Sequence, residues 1–366
     1  MTSKHISHGL EGKHRVAIVV PVYNVSKYLA ECLDSALNQT YKEITIFAVN
    51  DGSTDDSGEI LDEFAKKHSK LLVVHKSNGG VSSARNAGLD AIKNSENHFE
   101  FVYFLDSDDT IPNDFVQKLV DALEKENADV AICPVYEFDK QGGKVKSHPV
   151  EKPTVLDRDE FVECYYGLNG WEGTSVAYRF LVNKFFRFST FEFSRFDETF
   201  KTAEDQEYII SSIMPALNKA VIVLDVYCKY RLRNSSLSRN RKVGGKQTHD
   251  IYFKAIHLKN KYSRLARQEI EKRYIGSVYK ELRHSFVTGD CQRQHATLEE
   301  LKRMRLIKWE FPQTLRTKVR ILLAYLPKSI LKAYCLRRFK TLNSTRSDWN
   351  PNFLIKSDER IYCVMD

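Results

Sequence analysis

Apolar runs of strand length alternate with helix-spaced apolar stripes along the first 135 residues. The runs are residues 16–20 (Val-Ala-Ile-Val-Val), 44–49 (Ile-Thr-Ile-Phe-Ala-Val), 71–74 (Leu-Leu-Val-Val), 101–105 (Phe-Val-Tyr-Phe-Leu) and 130–135, all rich in β-branched, aromatic or other large apolar side chains. Between the first two, Leu29, Cys32, Leu33, Ala36 and Leu37 recur at helical spacing. After the second, Ile60, Leu61, Phe64 and Ala65 do the same, with Asp56 and Glu59 spaced as a capping pair. A further helix is predicted to open at Pro112, with Phe115, Val116, Leu119, Val120 and Leu123 on its buried face. This alternation predicts an α/β fold with a doubly wound, mostly parallel sheet covered on both faces. In such sheets ligands lie beyond the carboxyl ends of the strands, so the segments after each run are where chemistry is expected.

The fourth run leads directly into Asp106-Ser-Asp-Asp109. Carboxylates crowded at the end of an apolar strand repel one another and resist desolvation, so a divalent cation is their natural neutraliser. Oxygen-only donors point to a hard ion, Mg²⁺ or Mn²⁺, which commonly carries phosphates. The competing reading is that Asp108 or Asp109 caps the helix at Pro112, and the tetrapeptide alone fits both. The first two runs are followed by Pro21-Val-Tyr-Asn24 and Asn50-Asp-Gly-Ser-Thr-Asp-Asp-Ser57. A turn and a helix cap account for the second of these. At the same edge, however, Tyr23 offers a ring for stacking and Asp51 a carboxylate that can accept N–H from a base. The third run enters Ser77-Asn-Gly-Gly-Val-Ser-Ser-Ala-Arg-Asn-Ala-Gly88. Its glycine pair could present backbone N–H groups to an anion, with Arg85 as a fixed charge; a tight turn before a closely packed helix explains it equally well. The Gly-x-Gly-x-x-Gly spacing is missing, which counts against a nicotinamide or flavin dinucleotide.

At 366 residues and 42% hydrophobic content, the chain can bury one large core and a smaller one. Its seven cysteines are scattered singly, which indicates neither a zinc site nor a disulfide framework and suits a reducing compartment. Residues 1–14 are polar, without the apolar run of a signal peptide or membrane anchor, and read as a disordered lead-in. The net charge of +8 is unevenly spread: residues 251–366 hold 25 Lys/Arg against 11 Asp/Glu, a local +14, which leaves residues 1–250 at −6. An acidic first part without zinc-finger or basic-aromatic motifs argues against nucleic acid as a partner.

Together, Pro21-Val-Tyr-Asn24, Asn50-Asp-Gly-Ser-Thr-Asp-Asp-Ser57, Asn78-Gly-Gly-Val-Ser-Ser-Ala-Arg-Asn-Ala-Gly88 and Asp106-Ser-Asp-Asp109 resemble, in order and spacing, the family-two glycosyltransferases of bacterial surface polysaccharide synthesis. The likeness is strongest over residues 15–135 and thinner to about 240. It implies a GT-A fold, a nucleotide-sugar donor (UDP-linked), a divalent metal and inversion at the anomeric carbon, with hexosyl or N-acetylhexosaminyl transfer. By that resemblance Tyr23 and Asp51 contact the nucleobase, beside Pro21, and Arg85 is a further nucleotide contact. Asp106 is the ribose or metal partner and Asp108 the metal ligand, while Asp109 has no settled role. Lys201-Thr-Ala-Glu-Asp-Gln-Glu-Tyr208 resembles the family's Glu-Asp motif, which makes Asp205 the general base, with Ala203 where many relatives carry Gly. It follows Val182-Asn-Lys-Phe-Phe186, which resembles the family's Asn-Lys stretch. Read without the resemblance, Glu204-Asp205 is an ordinary acidic helix start. After a strand-like stretch from Val221 to Tyr230, Arg231 and Arg233 correspond to a Tyr-Arg segment that could clamp phosphate. Acceptor contacts are expected from Glu204 and from Trp171, whose ring could meet a sugar, although tryptophans are more often buried.

The resulting domain reading is a catalytic domain at 15–240, with a nucleotide-sugar part to about 135 and an acceptor part from 136, then a basic, mainly helical region at 241–366. Within 299–340, apolar residues such as Leu301, Leu306, Trp309, Ile321 and Leu326 interleave with Lys302, Arg305, Lys308, Arg316 and Arg320. No window there reaches the roughly 18–20 apolar residues that spanning requires. Helices of this kind can lie on an anionic membrane surface beside a lipid-linked glycan acceptor, or pack on the catalytic domain. The first choice gives a cytoplasmic enzyme peripheral to the inner face of the cell membrane. A sugar-nucleotide nucleotidyltransferase would want a Gly-rich, Arg/Lys-bearing loop after the first run, where Pro21-Val-Tyr-Asn24 stands. A noncatalytic carbohydrate-binding protein would not need both an acidic cluster and a separate Glu-Asp pair.

Overall fold

The computed structural model describes residues 14–139, 142–146, 154–168, 180–232 and 246–304. The chain divides into two compact units, residues 1–239 and 240–366. The strands of the first are β1 (Val16–Val22), β2 (Ile44–Asp51), β3 (Leu71–Lys76), β4 (Phe101–Phe104), β5 (Val130–Ile132), β6 (Val135–Asp139), β7 (Gly142–Lys146), β8 (Thr154–Asp157), β9 (Lys184–Arg187), β10 (Lys219–Ile222) and β11 (Cys228–Arg231). Among the described residues, eight of them form one sheet in the order β3-β2-β1-β4-β9-β5-β10-β8, and β11-β6-β7 form a second, smaller one. β1 pairs in parallel with β2 and β4, from Val16 opposite Ile44 and Phe101, and β2 pairs in parallel with β3. β9 runs antiparallel between β4 and β5. The α/β reading with a mostly parallel sheet therefore holds.

Every residue of β1 is buried, as a central parallel strand requires when helices cover both faces. One face of β1 (Val16, Ile18, Val20, Val22) joins a core with Leu29 and Leu33 of α1 (Ser26–Leu37) and with Phe115, Leu119 and Leu123 of α4 (Phe115–Glu126). α2 (Ser57–Lys67) packs outside β3, and α3 (Val81–Lys93) crosses β1 and β2. Gly88 of α3 lies so close to the sheet that an added Cβ would stand 2.5 Å from Val19 Cγ1. The small residues of this helix therefore serve close packing. They hold its N-terminal end, with Arg85, tightly against the strand ends.

Four local expectations change. The run 130–135 is two strands in two sheets, broken at Cys133-Pro134, because proline lacks the N–H that would continue the ladder. Likewise the stretch from Val221 to Tyr230 divides into the ends of β10 and β11. The Asp56–Glu59 capping pair does not form, since Asp56 makes no side-chain cap bond. Asp55 takes that place: its carboxylate accepts from Ser57 N and, across the site edge, from Ser26 N, both at 3.0 Å. Burial opposes its ionisation, but these bonds prevail and lower its pKa to about 2. Finally, α4 starts at Phe115, and the N–H of Val116 is taken by Gln39 Oε1 at 3.0 Å. That frees Asp108 and Asp109 from a capping role.

The second unit contains α9 (Lys246–Leu258), α10 (Arg264–Thr288) and α11 (Cys291–Met304), numbered after α5 (Arg158–Tyr166), α6 (Phe188–Phe191), α7 (Glu204–Tyr208) and α8 (Met214–Ala216) of the first. α10 is capped by Ser263, whose hydroxyl accepts from Ala266 N, and ends at Gly289 with φ of 74°. Its buried Ile275, Val278 and Leu282 pack with Leu298 and Leu301 of α11. His249 of α9 reaches Glu300 of α11 at 3.1 Å. Cys32, Cys133, Cys164 and Cys228 are buried free thiols. No helix among the described residues is long and apolar enough to cross a membrane. Most of the interleaved stretch at 299–340 lies outside the described residues, which end at Met304.

Candidate active site

The strand order reverses direction at β1 and β4, so the crevice of this sheet opens beyond their carboxyl ends. Pro21 is buried within β1 opposite Val49, and Tyr23, just beyond, is 50% exposed, a ring available at the mouth of the crevice. The next residue, Asn24, adopts a left-handed conformation (φ 49°) and accepts from Thr54 N at 2.8 Å, while Ser57 Oγ accepts from Val25 N at 3.0 Å. These bonds staple the two loops after β1 and β2 into one edge.

Asp51 ends β2 and is 2% exposed. Its Oδ1 accepts from Lys76 Nζ at 2.6 Å and Gly79 N at 3.0 Å, and its Oδ2 accepts from Gly80 N at 2.7 Å. The glycine turn does bind an anion, as expected of it, but that anion is the protein's own carboxylate. Glycine is needed for steric reasons: Gly80 has φ of 92°, and a Cβ on Gly79 would stand 2.7 Å from Ser83 Oγ. Lys76 carried no signal in the sequence, because a lysine ending an edge strand is commonplace.

Arg85 is buried and faces three carboxylates. Its Nη2 donates to Asp106 Oδ1 at 2.9 Å, and its Nη1 donates to Asp205 Oδ1 at 2.8 Å and Glu204 Oε1 at 3.5 Å. Burial opposes the guanidinium charge, but Asp205, Asp106 and Glu204 outweigh it and push the pKa further up. The acids remain partly open, with Asp106 31%, Glu204 18% and Asp205 21% exposed, whereas the Arg85 side chain is 3% exposed. Asp205 Oδ2 also accepts from Leu181 N at 3.1 Å. Burial, and then the Asp205 charge, raise the Glu204 carboxyl to about 7 against the pull of Arg85. Both acids open α7 after Ala203, whose φ of 60° is a left-handed geometry that suits glycine better than alanine. An L-residue there is strained by about 1–2 kcal/mol.

Asp108 and Asp109 follow in the loop after β4. Arg231 donates Nε–H to Asp108 O at 2.9 Å and its backbone N–H to Asp109 Oδ1 at 2.8 Å, while its guanidinium lies 5.0 Å from the Tyr28 ring and 4.5 Å from the Phe138 ring. Arg231 is thus a strap that fixes the acidic loop. Arg233 and Trp171 lie outside the described residues. Among the described residues no ready-made group of three or more His, Cys, Asp or Glu gathers around a metal position. Asp106 and Asp108 nevertheless offer two partly exposed oxygen donors on one loop, a set that fits a hard divalent ion taking its other ligands from phosphate and water.

Residues 17–193 match the family described as Glycosyl transferase family 2. Glycosyltransferase GlyA of Streptococcus pneumoniae is 37% identical over 235 residues, 62% of this chain and 32% of that protein. Glycosyltransferase GlyG of the same organism is 31% identical over 232 residues, 61% of this chain and 73% of that protein. The chain therefore spans about a third of GlyA and nearly three quarters of GlyG. Residues 1–349 of TarS from S. aureus, solved in complex with UDP-GlcNAc, share the fold with a TM-score of 0.61 at 18% identity, over 90% of this chain and 91% of that one.

Behind the carboxylates, Lys184 of β9 is wholly buried, donating Nζ–H to Phe180 O and, at 3.0 Å, to Asn183 Oδ1. Burial lowers its pKa to about 7, although Asp205 favours the charged form. Unfolded, the same lysine holds its proton up to about 10.5, so between these values the unfolded chain binds the extra proton and stability rises with pH. Below about 7 this contribution is flat. Lys184→Met should abolish that part of the rise: urea midpoints of variant and wild type at pH 7 and pH 9 will differ in their pH increment, the wild type gaining more on going alkaline.

Proposed function

The chain belongs to glycosyl transferase family 2, and from that premise we propose that it is a metal-dependent inverting glycosyltransferase. It would move a hexose or N-acetylhexosamine from a UDP-linked donor to a hydroxyl of a glycan acceptor in surface polysaccharide synthesis. The carrying observation is that Arg85 joins Asp106, at the donor end of β4, to Glu204 and Asp205, which belong to the following acceptor part. Two sets of carboxylates far apart in sequence thus meet within the span of one guanidinium. That placement suits a donor sugar lying between a charge-compensating acid loop and a proton acceptor.

Inverting transfer is a single displacement in which the acceptor oxygen bonds to the anomeric carbon as the bond to the diphosphate breaks. Asp205 takes the proton of the attacking hydroxyl, and its two hydrogen bonds, from Arg85 and Leu181 N, fix the carboxylate without enclosing it. Asp51 and the glycine turn build the floor of the nucleotide end, with the Tyr23 ring exposed above it for stacking. Asp106 and Asp108 would hold Mg²⁺ or Mn²⁺, which when bound supplies charge compensation for the departing diphosphate. The acceptor is proposed to be lipid-linked, and the basic C-terminal region to meet an anionic membrane surface.

The direct test is UDP release with a panel of UDP-sugars, with and without Mn²⁺. Titration calorimetry should show Mn²⁺ tightening UDP binding to the wild type but not to Asp108→Ala; an equal Mn²⁺ effect in both proteins would remove Asp108 as a ligand. Asp205→Asn should slow transfer by roughly 10²–10⁴-fold at little change in donor KM. Donor affinity falling as steeply as turnover would instead assign Asp205 to the nucleotide. The chain of residues 1–366 should float with anionic vesicles and not with neutral ones.

A further inference from the structure

The segment that leads into α7 and Asp205, residues 192–203, has no strand or helix of its own. Its backbone lacks a ladder to fix it, so side chains of neighbouring elements must set its position. Asn86, the neighbour of Arg85 on α3, does this as a strand would. Its Oδ1 accepts from Phe196 N at 3.0 Å and its Nδ2 donates to Phe196 O at 2.9 Å, satisfying both backbone groups of one residue with one carboxamide. The same Nδ2 lies 3.0 Å from Glu198 Oε1, and Arg195 Nη1 returns a bond to Asn86 O at 3.1 Å.

The residue so gripped is a seat for the reactive groups. The Phe196 ring stacks on Tyr208 of α7 with centroids 3.9 Å apart and planes 10° from parallel, meets Phe104 edge-on at 5.2 Å, and lies 5.3 Å from the Arg85 guanidinium. Tyr208 is on the helix that carries Asp205, and Arg85 donates to Asp205. One carboxamide therefore sets the height of an aromatic ring on which both the base-bearing helix and the base's cationic partner rest.

We propose that Asn86 is a positioning residue for sugar transfer, acting through Phe196 to hold Asp205 at the acceptor hydroxyl. This rests on the reading of Asp205 as the general base. Asn86 touches neither the donor edge at Tyr23 and Asp51 nor the acidic loop at Asp106 to Asp109, so its effect should fall on turnover and spare donor binding. A displacement of about 1 Å in a reacting group can reduce rate by about a hundredfold.

The test is a double-mutant cycle on the full chain, with UDP-sugar turnover and donor KM measured well below the unfolding temperature of every variant. Asn86→Ala is expected to lower kcat by about 10–100-fold with donor KM within about twofold. In the Asp205→Asn background it should cost almost nothing, because the group it positions is gone; additive losses would mark a merely structural residue and overturn the proposal. Should Asn86→Ala not fold, Phe196→Leu runs the same cycle, since it keeps an apolar side chain but removes the stacking seat, and the same two outcomes decide. Wild-type turnover retained in the variant overturns this inference alone. A wild-type chain inactive with every UDP-sugar overturns the parent reading, and this inference with it.

Discussion

The site depends on one guanidinium taken almost wholly out of water. Arg85 is 2% exposed and is compensated by three carboxylates contributed by two distant parts of the chain. A cation in such a position is stable only while its partners remain, and losing one partner of a buried pair commonly costs about 3–5 kcal/mol. Here the acids keep some contact with water, so the loss would be smaller. The same constraint has a geometric side. Arginine presents its donors in a rigid plane, so Asp106 and Asp205 are fixed relative to each other by the shape of a single group, which a lysine could not do.

Such a cluster also explains why α3 must lie so close to the sheet. Gly88 and Ala84 let the helix descend onto Val19 and its neighbours, and that descent carries Arg85 to the strand ends. One turn earlier, Gly79 and Gly80 close on the Asp51 carboxylate, so the helix is anchored at its start by an internal anion and further along by an internal cation. Packing of small residues, turn geometry and charge placement are one arrangement here. A bulkier residue at Gly88 would displace the charge as well as the helix.

Much of this was legible in the sequence because strand periodicity and strand order follow from short-range chemistry. The five runs marked the carboxyl edge, and the motif residues lie along it. What could not be read is how motif residues use one another. Nothing local shows that Gly79 and Gly80 donate to Asp51, that Arg85 spends its donors on Asp205, or that Arg231 fastens the backbone of Asp108. Those bonds join residues about 30 to 120 positions apart, where no period or spacing carries information. The breaks at Cys133-Pro134 and between β10 and β11 are hidden in the sequence for a related reason: an apolar run does not show which sheet each of its residues joins.

Motif residues that partner one another change what the motif means. If Asp51, Arg85 and Arg231 each met the donor independently, substituting them would remove separate contacts, and the losses would add. In this structure each already holds another motif residue: Asp51 holds the glycine turn, Arg85 holds Asp106 and Asp205, and Arg231 holds the loop of Asp108 and Asp109. Residues in one hydrogen-bonded network couple, with interaction energies of about 0.5–3 kcal/mol. A ligand entering the crevice therefore meets groups whose directions are set before it arrives, and little reorganisation is left to oppose binding or transfer. The co-occurrence of these segments along the chain then has a physical cause. Within each of these groups the residues support one another, so losing one would misplace its partners.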